Sequence, residues 1–389
     1  AMKATPMAIL LCFYLLSAGA DEEETHLRTL KQAFHDDFLI GAAIEKLLFE
    51  EGARPTLKLV PTQFNSISSC NMLKWSPFNP KPEVYDHRAA DAYVAFGTKH
   101  NMYVVGHVLF WHNQTPEWVF RDVDSKQLDR SALLERMRER VRHLATRYGS
   151  KIDAWDVVNE AIEGNGHLRN STWTQIIGKD FIEQAFRIAH DELPTDVELL
   201  YNDYSMTGPK KRDAVVRMIL ELKQRGVRID GVGMQGHWSI NGPALADIEA
   251  SIVAFSQAGV EIHITELDID VLPRQPGMHG ADVAKQLEQD EAMDPYRDGL
   301  QAEMQQRLAQ RYADIFQLFL KHREKIKRVA FWGTTDNHSW LNNWPIKGRT
   351  SYPLLFDRNG APKPAFHAVI GLKAPKDAAD DPAPTVIHD

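Results

Sequence analysis

The feature that most constrains this chain is a rhythm. Eight short runs rich in β-branched and aromatic residues recur along it, and stretches with helical spacing separate them. The runs are 38–44, 64–69, 102–110, 154–160, 198–203, 231–236, 261–268 and 328–336. Eight β/α units in uninterrupted alternation predict an α/β fold, a single parallel (β/α)8 barrel. The same alternation permits a doubly wound open sheet. No Gly-x-Gly-x-x-Gly follows the first run, so the dinucleotide-binding version of that sheet loses its support. Length agrees with the barrel. At about 150 residues per domain, 389 residues suggest two or three domains, but α/β barrels often exceed 250 as one unit.

The helical stretches carry packing stripes, not sites. Leu134, Met137, Val141, Leu144 and Tyr148 repeat at three and four residues before Gly149, and Leu308, Tyr312, Ile315 and Phe319 form a second stripe. The connection after the seventh run, from 271 to about 300, holds Pro273, Pro276 and Pro295 and is expected to be a long loop on the active-site face.

The ends of the chain read differently from its body. Lys3, an apolar run over 7–16, the Ala18-Gly19-Ala20 ending and the acidic 21–24 read as a cleavable signal peptide over 1–20; a buried N-terminal helix is the alternative. The run is shorter than the roughly 20 apolar residues a bilayer span needs. The barrel is expected over 25–372, and 373–389, rich in Ala, Pro and Asp, as a flexible tail. Removal of 1–20 takes Cys12 and leaves Cys70 alone, so the mature chain forms no internal disulfide. Asn113 and Asn337 head formal glycosylation triplets beside the expected cleft, which reads as accidental and favours a bacterial secreted protein. Lys plus Arg is 45 against 53 Asp plus Glu, a net charge of −8, with no basic stripe for nucleic acid. A monomer without membrane attachment is expected.

In a parallel barrel the catalytic groups sit at the C-terminal strand ends. The second run ends at Cys70-Asn71 with Lys74-Trp75 beyond, the third carries His107 and Trp111-His112, and the fourth ends Asn159-Glu160. The fifth ends Asn202-Asp203-Tyr204, the sixth Gln235-Gly236-His237-Trp238, the seventh Thr265-Glu266-Leu267-Asp268, and the eighth supplies Trp332 and then Trp340. Each of these seven ends offers a polar group, a carboxylate or an indole, which suits a cleft for a polyhydroxylated chain. Trp155 and Trp173 read as core, whereas Trp111, Trp332 and Trp340 are placed to stack on sugar faces. Glu160 and Glu266 lie on strands that face each other across the barrel mouth, and glycoside hydrolysis needs two such carboxyls. No His-Glu-x-x-His or Cys-x-x-Cys pattern marks a metal site and no Gly-x-Ser-x-Gly marks a serine nucleophile, so neither metal nor cofactor is expected.

Six motifs in register resemble the series of glycoside hydrolase family 10, whose typical members are secreted endo-β-1,4-xylanases. They are Asn71-x-x-Lys74-Trp75, Gly106-His107-x-x-x-Trp111-His112, Trp155-Asp156-Val157-Val158-Asn159-Glu160, Gly233-x-Gln235-Gly236-His237, Ile264-Thr265-Glu266-Leu267-Asp268 and Phe331-Trp332-Gly333 through Trp340. The resemblance implies a retaining double displacement on xylan and xylooligosaccharides, with Glu160 as acid/base and Glu266 as nucleophile. It places Asn159 and His237 beside the reacting sugar, and Gln235 with His237 on the Glu266 carboxylate. Asn71, Lys74, His107 and Trp111 line the non-reducing side, Trp332 and Trp340 close over the cleft, and Tyr204 contributes from the fifth loop. One departure stands out. The family usually has Glu where this chain has Cys70, so the neighbouring sugar site is expected to be weaker or reshaped. Two other readings stay open, a catalytically inactive polysaccharide-binding or inhibitor barrel and a β-1,4-glucanase of the same architecture.

Overall fold

A computed structural model describes residues 28–50, 54–274, 287, 288 and 290–373. The expected signal peptide, the tail beyond Lys373 and the middle of the long loop after the seventh run lie outside the described residues. In chain order the strands are β1 (Leu39–Ile44), β2 (Ser66–Ser69), β3 (Tyr103–Gly106), β4 (Phe110–Trp111), β5 (Ala154–Asn159), β6 (Glu198–Asp203), β7 (Gly231–Met234), β8 (His237–Ser239), β9 (Glu261–Asp270) and β10 (Ile326–Phe331). Strand order runs β10-β1-β2-β3-β5-β6-β7-β9, every pairing is parallel, and β9 pairs back onto β10. That closure makes an eight-position barrel and excludes the open sheet.

One expected strand breaks in two and another stops short. The run 102–110 splits into β3 and β4 because its middle turns its carbonyls away from the sheet. Arg140, buried in the helix Arg130–Tyr148, takes the carbonyls of Leu109 (3.1 Å), Val108 (3.1 Å) and Leu73 (2.8 Å), with its guanidinium 4.5 Å from the Trp75 ring centre. One side chain thereby ties together the loops that carry Lys74 and His107. The run 231–236 ends at Met234, since Gly236, at φ +81°, turns the chain before β8 pairs with β9.

Helix Arg130–Tyr148 starts where the Asp129 side chain accepts the Ala132 N–H and stops at Gly149. Its buried face is the expected stripe with Leu133 in place of Leu134, which is half-buried. Core packing between barrel and helices includes the stacked Phe316 and Phe331, and each fully buried ring of this kind contributes about 1.5–3 kcal/mol. Trp155 and Trp173 are buried, as expected. Inside the barrel Val105, Ala154 and Leu200 pack together, and fully buried Arg328 donates to Ser66 Oγ (2.6 Å) and Ser68 Oγ (2.5 Å). Among the described residues no helix is long and apolar enough to cross a membrane.

Candidate active site

Glu160 directly follows β5 and has φ 58°, a left-handed conformation that costs a non-glycine residue strain. The turn is held at both sides: its N–H donates to the Asn202 carbonyl (2.9 Å), and its own carbonyl accepts from Arg169 Nε (2.8 Å). Its carboxylate accepts from Trp111 Nε1 (2.8 Å) and Gln235 Nε2 (3.0 Å). Across the mouth, Glu266 of β9 accepts from Asn202 Nδ2 (2.7 Å) and from His237 Nε2 (3.0 Å). Asn202 is the hub, since Nδ2 also reaches Asn159 Oδ1 (3.0 Å) and its Oδ1 accepts from Thr265 (2.6 Å). Gly233 makes room for it. A Cβ at that position would lie 2.3 Å from Asn202 Oδ1.

The two carboxyls are both buried, yet they titrate in opposite directions. Burial pushes Glu160 up, the Asp203 charge pushes further, and the bonds from Gln235 and Trp111 pull back, leaving it at about 7. Glu266 adds less to this than Asp203 does, so the neighbour that most raises the acid is not the facing carboxylate. Asp203 is itself held by Lys211 (2.5 Å) and the Tyr201 hydroxyl (2.6 Å). For Glu266, burial raises the carboxyl, but the His237 bond, the His107 and His237 charges and the Asn202 bond outweigh it and hold it below its ordinary value. Burial alone would lower His237. Asp268, bonded to Nδ1 at 3.0 Å, together with Glu266, carries it up to about 10, so the ring is a cation at neutral pH.

A cavity of about 50 Å³ joins these groups. Lys74, His107, Trp111 and Asn159 line it with both carboxyls, and Gln235, His237, Trp332 and Trp340 complete it. Asn71 and Tyr204 stand beside it instead. Asn71 bonds Lys74 Nζ (2.9 Å), and the Tyr204 hydroxyl accepts from Arg169 (3.0 Å). Two expected partners change. Gln235 bonds Glu160, not Glu266, because the Gly236 turn points residues 235 and 237 at different carboxylates. Trp111 spends its indole N–H on Glu160 and places its ring 4.8 Å from Lys74 Nζ. His107 Nδ1 donates to Asp156 (2.8 Å), and Trp340 Nε1 donates to Asp268 (2.7 Å).

Asn202, Asp268 and Arg169 escaped the sequence reading as site residues. The first two stand at strand ends already read as polar, but their partners are 64 and 31 residues away; Arg169 carries no local signal. Outside the cleft, Glu198, Glu261 and His263 are spaced for a cation at the opposite end of the barrel, where the Lys327 ammonium already bridges the two carboxylates.

The Trp111 bond gives a direct test of the acid's environment. Trp111→Phe removes a donor that favours the ionised Glu160, so the acid's pKa rises. The alkaline limb of kcat/KM is expected to move up by about half a unit to one unit, the equivalent of one hydrogen bond. A limb that stays put or moves down would show that Trp111 does not act on Glu160.

A closed parallel barrel with two buried carboxyls lining one cavity at its C-terminal mouth is the arrangement that glycoside hydrolysis needs. Comparison with known proteins names the family. The pattern of glycosyl hydrolase family 10 matches residues 29–372. Endo-1,4-beta-xylanase A of Xylanibacter ruminicola is 42% identical over 370 residues, covering 95% of this chain and 99% of the relative. Among solved structures, a GH10 endoxylanase retrieved from sugarcane soil metagenome superimposes with a TM-score of 0.86 at 46% identity, covering 88% of this chain and 99% of the other. A mutant solved in complex with xylotriose gives 0.77 at 37% identity, covering 88% and 99%. The chain belongs to glycosyl hydrolase family 10.

Proposed function

We propose that this protein is a secreted, retaining endo-1,4-β-xylanase that cleaves internal bonds of xylan and xylooligosaccharides, with Glu160 as acid/base and Glu266 as nucleophile. The observation that carries it is two buried carboxyls lining one cavity, Glu160 held by Trp111 and Gln235 and Glu266 held by Asn202 and His237. In the first step a Glu266 oxygen attacks the anomeric carbon, the bond to the leaving oxygen breaks, and the Glu160 proton passes to that oxygen. A glycosyl ester and a Glu160 carboxylate result. In the second, Glu160 takes a proton from water as the water oxygen attacks the same carbon, and the ester opens to return Glu266 ionised.

Esterification removes the Glu266 charge, but burial and Asp203 still act on Glu160, so its pKa drops only in part between the steps. The His237 cation keeps the free nucleophile ionised. Among the described residues the buried Asn159 Nδ2 has no hydrogen-bond partner, a donor left over for a hydroxyl of the reacting sugar. Trp332 stands edge-on to His107 at 5.4 Å, and Trp340 packs on His237 at 4.8 Å and stacks on Trp344 at 4.6 Å, which supports a role as the aromatic wall. Secretion rests on the N-terminal sequence pattern, and bacterial origin on the relatives.

Xylohexaose tests the reading. Internal cleavage with the β-anomer as first product, followed by proton NMR, is expected. The α-anomer first would overturn the double displacement, and faster turnover of aryl cellobioside than aryl xylobioside would overturn xylan as substrate.

A further inference from the structure

We propose that Glu45 is the specificity-determining carboxylate for the second sugar on the non-reducing side of the cleavage point, taking from β1 the role that Cys70 leaves open on β2. The inference rests on the xylan reading above. Glu45 directly follows β1, and Cys70 and Asn71 directly follow β2, so adjacent parallel strands deliver the three side by side to the barrel mouth. Asn71 Nδ2 faces both Glu45 oxygens, at 3.2 and 3.3 Å, and the Cys70 thiol stands close enough to feel the same carboxylate. Burial keeps that thiol protonated and therefore a donor.

These bonds hold Glu45 but do not exhaust it. A carboxylate offers about four acceptor positions, and Glu45 is only partly buried. Beside it the buried Lys74 ammonium donates to Asn71 Oδ1 at 2.9 Å, its one hydrogen-bond acceptor among the described residues. An ammonium carries three donors, and Lys74 lines the same cavity as Glu160 and Glu266. Asn71 therefore bridges a fixed acceptor and a fixed donor, each with hydrogen-bonding capacity left over. That arrangement complements a vicinal diol, in which each hydroxyl donates to the carboxylate and accepts from the ammonium. The 2- and 3-hydroxyls of a xylosyl unit form such a diol.

The position of Cys70 explains why the carboxylate comes from β1. A thiol is too short and too weakly polar to bind the diol, and the carboxylate beside it is Glu45 at the end of the neighbouring strand. The subsite is then rebuilt rather than lost, and Cys70→Glu alone would press two carboxylates together.

The test is the ratio of kcat/KM on an aryl β-xylobioside to that on an aryl β-xyloside, since only the former fills the second site. A folding defect lowers both values and leaves their ratio alone. In Glu45→Ala the ratio is expected to fall ~10- to 100-fold, the worth of hydrogen bonds to a charged group. Glu45→Ala combined with Cys70→Glu moves the carboxylate back to β2 and is expected to recover most of the loss. An unchanged ratio in Glu45→Ala overturns the proposal, as does a loss that the double variant leaves unrepaired. Wild-type protein that turns over neither substrate overturns the xylanase reading itself.

Discussion

Glu266→Gln is expected to lower kcat/KM on xylan by ~10⁴-fold or more, the scale of loss when a covalent nucleophile is removed. The variant should fold. The amide fills the same volume, and Asp268 still bonds His237 at 3.0 Å, so the cation beside it is not left unpaired. Reducing-sugar release measures the loss. Glu266→Ala adds a second readout, because azide entering the vacated space attacks the anomeric carbon from the same face and yields an α-xylosyl azide. Residual activity within ~10-fold of wild type, far below the effect of losing a nucleophile, would sink the assignment.

Glu160→Gln produces a different pattern. General-acid assistance contributes typically ~10²–10⁴-fold, so turnover of xylan should fall by that amount. An aryl xylobioside with a strongly acidic phenol departs without a proton, so its first step should suffer far less and show a burst of phenol as the ester accumulates. The pH profile carries the sign. With Glu160 as the acid and its folded value raised to about 7, wild-type kcat/KM is expected to fall as pH rises through about 7. The acid limb belongs to Glu266, held below its ordinary value, so activity is lost only when the pH drops beneath that lowered value. His237, at about 10, stays charged across this window and contributes neither limb. Glu160→Gln should abolish the alkaline limb and leave the acid one. Persistence of the alkaline limb would show that another group is the acid.

Much of this arrangement was legible before any coordinates. Strand alternation and the polar strand ends pointed to the barrel and to both glutamates, because a strand ending in Asn159-Glu160 or Thr265-Glu266 has one place to present its carboxylate. Partners were less legible. Gln235 and His237 are two residues apart and were expected on one carboxylate, but the Gly236 turn divides them between two. Trp111 lines the cleft, and its indole N–H has a second use that sequence does not show, a bond to Glu160. Arg140 lay inside an apolar stripe and gave no sign that it would collect three loop carbonyls.

By itself the amino-acid order determined which chemical groups stand at the barrel mouth, since strand period and strand ends are local properties of a chain. Only the tertiary structure decided how those groups titrate and which partners hold them. Asp203 outweighs Glu266 on the acid, and Glu45 meets Asn71 across 26 residues of chain. Proton affinity depends on burial and on distances between charges, and ring closure sets both.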